Sequence, residues 1–147
     1  MKTSTKGRYA VRMMADIAEN GTPYATLKAV AERQGISKKY LEQIALRMTA
    51  SGFLRGIRGF QGGYSLAKDP GEISVLAILT AAEGSMAVVA CLEDEPNQCP
   101  HSGECKTLPL WIGLQKRIDE YLGGITLADV VADTLAPADV TAPVNKS

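Results

Sequence analysis

A single glycine, Gly35, separates two short helical patterns, and that break constrains the fold of this 147-residue chain more than any other feature. Ahead of it, Leu27, Val30 and Ala31 mark the inward face of a predicted helix from Leu27 to Gln34, capped by Thr26. Behind it, Ser37 caps a predicted helix running to about Ser51, with Leu41, Ile44, Ala45 and Met48 inward. Two short helices joined by a tight, glycine-containing turn form a helix-turn-helix. A longer helix precedes them, because Ala10, Met13, Met14 and Ile17 recur at i, i+3, i+4 and i+7. Asn20-Gly21-Thr22-Pro23 ends it.

Gly52 closes the third helix in the position that favours a left-handed residue. Phe53–Ile57 and Tyr64–Leu66 then read as short strands around the glycine-rich Arg58-Gly59-Phe60-Gln61-Gly62-Gly63. A β-hairpin directly after a helix-turn-helix is a wing. Asp69-Pro70-Gly71 is a turn, and Val75, Leu76, Ile78 and Leu79 predict a helix ending near Gly84. From Leu108 the apolar residues Trp111, Leu114, Ile118, Tyr121 and Leu122 follow a spacing close to a coiled-coil seam, stopped by Gly123-Gly124. Thr126-Leu127-Ala128-Asp129 starts a last short helix as a capping box.

The expected fold is mostly α with a small β-wing: a winged helix-turn-helix domain followed by a long C-terminal dimerisation helix. The expected divisions are a DNA-binding domain over 1–83 and a cysteine-rich loop over 84–107. The dimerisation and C-terminal helices fill 108–135, and a Pro/Ala/Thr-rich tail over 136–147 is expected to be disordered.

A formal net charge of zero conceals a division. Residues 1–68 hold twelve Lys and Arg against four Asp and Glu, whereas residues 69–147 hold four against twelve. A basic first half points to a polyanionic partner. No apolar run approaches the length of a membrane span, and MKTSTKGRY leads into a helical pattern without a secretory-signal core, so a cytoplasmic protein without membrane partners is expected. Enzymes are excluded on composition: there is no Ser/His/acid set and no phosphate loop, and His101 is the sole histidine. No small-molecule substrate is expected.

The outward face of the third helix carries Lys38, Lys39, Tyr40, Glu42, Gln43 and Arg47. Gln pairs bidentately with adenine, and Arg with guanine or phosphate. Glu42 is repelled by phosphates unless it accepts from a cytosine amino group, so it is expected to read or discriminate sequence. In the wing, Arg55, Arg58, Gly59 and Gln61 are the candidate DNA contacts, the arginines suiting a narrow minor groove.

All three cysteines, Cys91, Cys99 and Cys105, lie in CLEDEPNQCPHSGEC, a C-x7-C-x5-C run. The segment is too polar and turn-rich for core, and an odd cysteine count argues against a disulfide framework. Tetrahedral zinc usually takes four ligands in closer pairs. An iron–sulfur cluster tolerates irregular spacing, because bridging sulfides fill much of each iron's coordination. His101, between two of the cysteines, is the candidate fourth ligand, with Glu93, Asp94, Glu95 and Glu104 as rivals. Reversible disulfide formation is a further reading of the same thiols.

STKGRYAVRMM, ISKKYLEQI, IRGFQGGYSLAKDP, the three-cysteine loop, PLW and ITLADV together resemble the iron–sulfur winged-helix regulators of the IscR and NsrR type, over roughly residues 1–135. The resemblance implies a homodimeric bacterial transcription factor that binds double-stranded operator DNA and senses cluster status, iron, or redox and nitric oxide stress. It implies cluster ligands at Cys91, Cys99 and Cys105, with 2Fe–2S favoured over 4Fe–4S. It implies recognition-helix roles at Tyr40, Glu42 and Gln43, a wing role at Arg58, and dimerisation through the long C-terminal helix, on whose apolar stripe Trp111, Leu114, Ile118 and Tyr121 are the candidate contacts. Two positions depart from the pattern. The histidine that follows the last cysteine in the IscR type is Leu108 here, and the first-helix aspartate of the NsrR type is Arg8. A thiol-redox or zinc-binding regulator of the same fold, or an iron–sulfur redox protein that does not bind DNA, are the alternatives.

Overall fold

Among the described residues, five helices start in the same way: a serine or threonine hydroxyl accepts a hydrogen bond from the amide three residues on, satisfying a donor that helix geometry leaves free. Ser4 begins α1 (Thr5–Asn20), Thr26 begins α2 (Leu27–Gln34) and Ser37 begins α3 (Lys38–Ala50). Ser74 begins α4 (Val75–Glu83), and Thr126 begins α6 (Leu127–Val131), where Asp129 returns the bond as a complete capping box. The remaining helix, α5 (Leu108–Gly123), starts with proline in its first turn and no side-chain cap. The computed structural model describes residues 4–59, 62–93, 100–101, 103–133 and 135. The tail expected over 136–147 lies outside them.

The wing is a two-stranded antiparallel sheet of β1 (Leu54–Ile57) and β2 (Gly63–Leu66), registered from Leu54 opposite Leu66 to Ile57 opposite Gly63. The first strand begins one residue later than the sequence suggests. Phe53 closes α3 instead: its amide donates to the Met48 carbonyl while Gly52, at φ +80°, donates to Thr49. This double bond-back satisfies the last helical carbonyls, and it requires the left-handed turn that glycine supplies. The Asp69-Pro70-Gly71 turn is a short 3-10 helix over Pro70–Glu72, capped by Asp69.

The core is one cluster. Ala10, Met13, Met14 and Ile17 of α1 pack with Val30 of α2, with Leu41, Ile44, Ala45 and Met48 of α3, and with Ile78 of α4. The apolar faces expected for α1 and α3 are the buried ones. Leu127 of α6 is fully buried in the same cluster, so the chain returns to α1 after running out along α5. Paired backbone bonds fix that return: Val75 donates to Ile125, and Leu127 donates to Ile73, both at 2.8 Å. In contrast, α5 rests on α4 and buries none of its residues fully.

Candidate DNA-reading face and cysteine loop

Core packing of Leu41, Ile44, Ala45 and Met48 turns the opposite side of α3 to solvent. There Lys38, Lys39, Glu42, Gln43 and Arg47 are all exposed. Tyr40 differs: it is half-buried, edge-on to the Tyr9 ring of α1 at 5.5 Å between centroids. Leu46, which no motif marks, stands among these polar residues with 68% of its surface exposed. A cleft of about 680 Å³ opens between α2, α3 and the hairpin, lined by Lys28, Lys38, Glu42, Gly62 and Tyr64 among others. Lys28, also unremarked in the sequence, thus shares a concave, partly cationic surface with the N-terminal turn of α3.

The helix-turn-helix is held to α1 by a buried charge. Asp16, 3% exposed, accepts from Arg33 Nε and from its terminal nitrogen, the latter at 2.6 Å, and from Gln34 at 2.9 Å. Burial pushes the Asp16 carboxyl up, but the bonds from Arg33 and Gln34 and the guanidinium charge outweigh it and hold the carboxyl below its usual value. Arg12 donates hydrogen bonds to Gln34 and lies 5.5 Å over the Tyr9 ring. These contacts set the tilt of α2, and hence of α3, on the domain.

The wing is anchored as well as paired. Ala25, in the link between α1 and α2, exchanges backbone bonds with Tyr64 at 2.9 and 2.8 Å, adding a one-residue third strand. Gly63 is what permits this approach, since a methyl there would run into the Ala25 carbonyl. Arg55 is exposed and donates to the Leu66 carbonyl at 3.3 Å. Arg58 and Gly59, the latter at φ +157°, lie exposed just beyond β1. Gln61 falls outside the described residues.

Of the candidate ligands, Cys91 sits half-buried in a 3-10 turn over Ala90–Leu92, and Cys105 is half-buried just ahead of α5. Both thiols are free. Cys105 Sγ lies 3.2 Å from the Thr107 hydroxyl, and bonds from Thr107 hold its thiol below the usual pKa. A turn in which the Cys105 and Glu104 amides donate to the His101 carbonyl leaves the His101 side chain exposed. Cys99, Asp94 and Glu95 lie outside the described residues, among which no three metal-binding side chains are gathered.

The segment before Cys91 is tied to α5 by Gln115, a residue no sequence motif marks. Its side chain accepts from the Val88 amide at 2.7 Å and donates to the Met86 carbonyl at 3.1 Å. The apolar stripe expected on α5 divides between two sides. Trp111 and Ile118 are half-buried alongside Gln115 and Leu122, whereas Leu114 and Tyr121 are exposed, with Leu110, in a neighbouring row. Trp111 and Ile118 stand seven residues apart, as do Leu114 and Tyr121, and the three-residue offset between the pairs turns them about 60° apart round the helix.

This architecture has known counterparts. Residues 3–133 match the family described as Rrf2, an iron-dependent transcriptional regulator. The chain belongs to the Rrf2 family. The HTH-type transcriptional regulator IscR of Serratia proteamaculans is 41% identical over 145 residues, covering 95% of this chain and 85% of that protein. The structure of T. potens IscR superposes with a TM-score of 0.72 at 36% identity, over 94% of each chain. CymR, the global cysteine regulator of B. subtilis, gives the same TM-score at 33% identity, over 90% of this chain and 98% of its own. As an IscR-like member of the Rrf2 family, the protein is a DNA-binding transcriptional regulator with a winged helix-turn-helix, and not an enzyme. No described helix is long and apolar enough to cross a membrane.

Proposed function

We propose that the protein is a cytoplasmic, homodimeric repressor or activator that reads a pseudo-palindromic operator and answers to an iron–sulfur cluster. Two copies pair through the exposed row of α5, and each places α3 in a major groove and its wing against the adjoining minor groove. Gln43, Glu42 and Arg47 read base edges; Lys38, Lys39 and Arg55 hold phosphates; Arg58, with Gly59 and Gln61, enters the minor groove. The observation that carries the reading is the basic, exposed face of α3 beside an anchored wing, in a chain 41% identical to an IscR.

Cys91, Cys99 and Cys105 are the proposed cluster ligands, with His101 as the candidate fourth and 2Fe–2S the favoured form. The donor set suits such a group in kind, since Cys91 and Cys105 are unpaired and partly accessible, and the Cys105 thiol is acidified by Thr107. When bound, the cluster supplies a restraint on the cysteine segment that depends on iron supply and oxidation. The chain's own residues carry that restraint onward. Gln115 ties the segment ahead of Cys91 to α5, and α5 fixes the distance between the two reading heads. Such a change shifts the population of DNA-competent dimers.

The test is anaerobic purification with visible absorption and iron and sulfide counts, followed by duplex binding of loaded and cluster-free protein. Iron and sulfide in equal amounts, with a different operator affinity for the two forms, is the expected result. Colourless protein whose affinity is indifferent to reconstitution overturns the cluster part. Six to ten phosphate contacts predict a loss of about 10³–10⁵ in affinity between 50 and 200 mM salt. A flat salt response, with Arg58→Ala binding like the wild type, overturns the DNA geometry.

A further inference from the structure

The centre of the DNA-facing side of α3 is occupied by an aliphatic side chain. Lys39, Glu42, Gln43 and Leu46 fall at i, i+3, i+4 and i+7, so they form one strip opposite the buried face of Leu41, Ile44, Ala45 and Met48. Three members of the strip are polar. Leu46 is 68% exposed, more than any other large apolar side chain described, and none of the described residues covers it. An isolated surface leucine needs no explanation on most of a protein. This one projects from the strip that also carries the candidate base-reading side chains.

The major groove presents donors, acceptors and one apolar group, the C5-methyl of thymine. A leucine placed among base edges therefore has one favourable partner, and against any other pair it strips water from a polar edge without replacing the hydrogen bond. We infer that Leu46 is a specificity-determining residue that packs on a thymine methyl in each half-site. The inference rests on the placement of α3 in the major groove proposed above. Three residues of helix rise carry Leu46 about 4.5 Å beyond Gln43 along the helix axis. With base pairs spaced roughly 3.4 Å apart, the thymine lies one or two pairs from the base that Gln43 reads.

The experiment uses an operator selected from random duplexes by the wild-type protein. Each thymine is then replaced in turn by deoxyuridine, which removes only the methyl group. Wild type is expected to lose about four-fold in affinity per half-site at one position, the worth of one buried methyl-sized group. Leu46→Ala should bind the thymine and deoxyuridine duplexes equally, while keeping the wild-type thermal midpoint because the side chain is exposed. The inference is overturned if wild type ignores every replacement, or if Leu46→Ala keeps the same thymine preference. Gln43→Ala separates this failure from that of the underlying geometry. If Gln43→Ala binds poorly while all deoxyuridine duplexes bind normally, only the Leu46 assignment fails. If Gln43→Ala also binds like the wild type, α3 is not the reading helix and both fail.

Discussion

The Val88 amide donates to the Gln115 side chain at 2.7 Å, and the same side chain donates back to the Met86 carbonyl at 3.1 Å. One residue of α5 thus clamps the backbone that leads into Cys91, and Gln115 is itself steadied by donating to Asp119 at 2.9 Å. Each such bond contributes about 0.5–1.5 kcal/mol. Gln115→Ala should therefore speed amide exchange at Val88 by roughly ten-fold, with protection in α1 and α3 unchanged. Equal exchange in the two proteins would show that the clamp does not restrain the segment.

Asp16 predicts how the fold responds to acid. Its carboxyl is buried, yet Arg33 and Gln34 hold its pKa below the ordinary carboxylate value. A carboxyl whose pKa is lower folded than unfolded stabilises the protein above the unfolded value, and that stability is lost as pH falls through the folded one. Asp16→Asn should cost about 1.5–3 kcal/mol at neutral pH, the worth of hydrogen bonds to a charged group. Arg33 is 39% exposed on its side chain, and solvent keeps the figure from the larger values of a fully buried pair. The difference from wild type should shrink between about pH 5 and pH 2, read as urea midpoints. A constant gap across that range would mean that the ionised form of Asp16 is not what matters.

The features legible in the sequence were the local ones. Thr26, Ser37 and Thr126 each declare a helix start through a bond spanning three residues, and the apolar faces of α1 and α3 follow from helical spacing alone. Gly35 and Gly52 mark left-handed turns for the same reason. What the sequence hid depends on distant partners. Arg33 looks like any surface cation until α1 brings Asp16 beneath it from seventeen positions away, and Gln115 is an unremarkable polar residue until the chain folds back twenty-seven. Glu83 behaves likewise: it reaches across from the end of α4 to accept from the Ser4 and Gly7 amides that start α1. The strip on α3 was half legible. The eye follows charged residues toward DNA, and Leu46 becomes conspicuous only once its exposure is known.

Gly63 offers a test of how the wing is held. A methyl at this position would meet the Ala25 carbonyl and, at 2.7 Å, the Tyr24 ring. The backbone must move apart to admit it, and the bonds between Ala25 and Tyr64 stretch. Gly63→Ala should destabilise the protein by about 1–3 kcal/mol, as overpacking does. At roughly 2–4 °C per kcal/mol for a chain of this size, the melting temperature should fall measurably. Trypsin should also cut sooner after Arg58, which lies exposed just past β1. An unchanged melt with unchanged cleavage would show that the Ala25 bridge does not secure the hairpin.

The proposed pairing of two copies through the exposed row of α5 predicts which side chains meet. Leu110, Leu114 and Tyr121 are 61%, 38% and 67% exposed, and they recur at i, i+4 and i+11 on one side of the helix. Trp111 and Ile118, which the sequence placed in the same seam, are turned partly inward. A row of large apolar groups at this spacing suits a second α5 lying alongside. Leu114→Glu should therefore convert the protein to a monomer in sedimentation velocity and weaken operator binding, because a single reading head loses the gain from simultaneous engagement. Ile112 supplies the contrast. It is also apolar and 50% exposed, but it stands two residues from Leu110 and from Leu114, about 200° round the helix. Ile112→Glu should leave the dimer intact, since its side chain points away from the paired row. If Ile112→Glu dissociates the dimer while Leu114→Glu does not, the two copies meet on the other flank of α5.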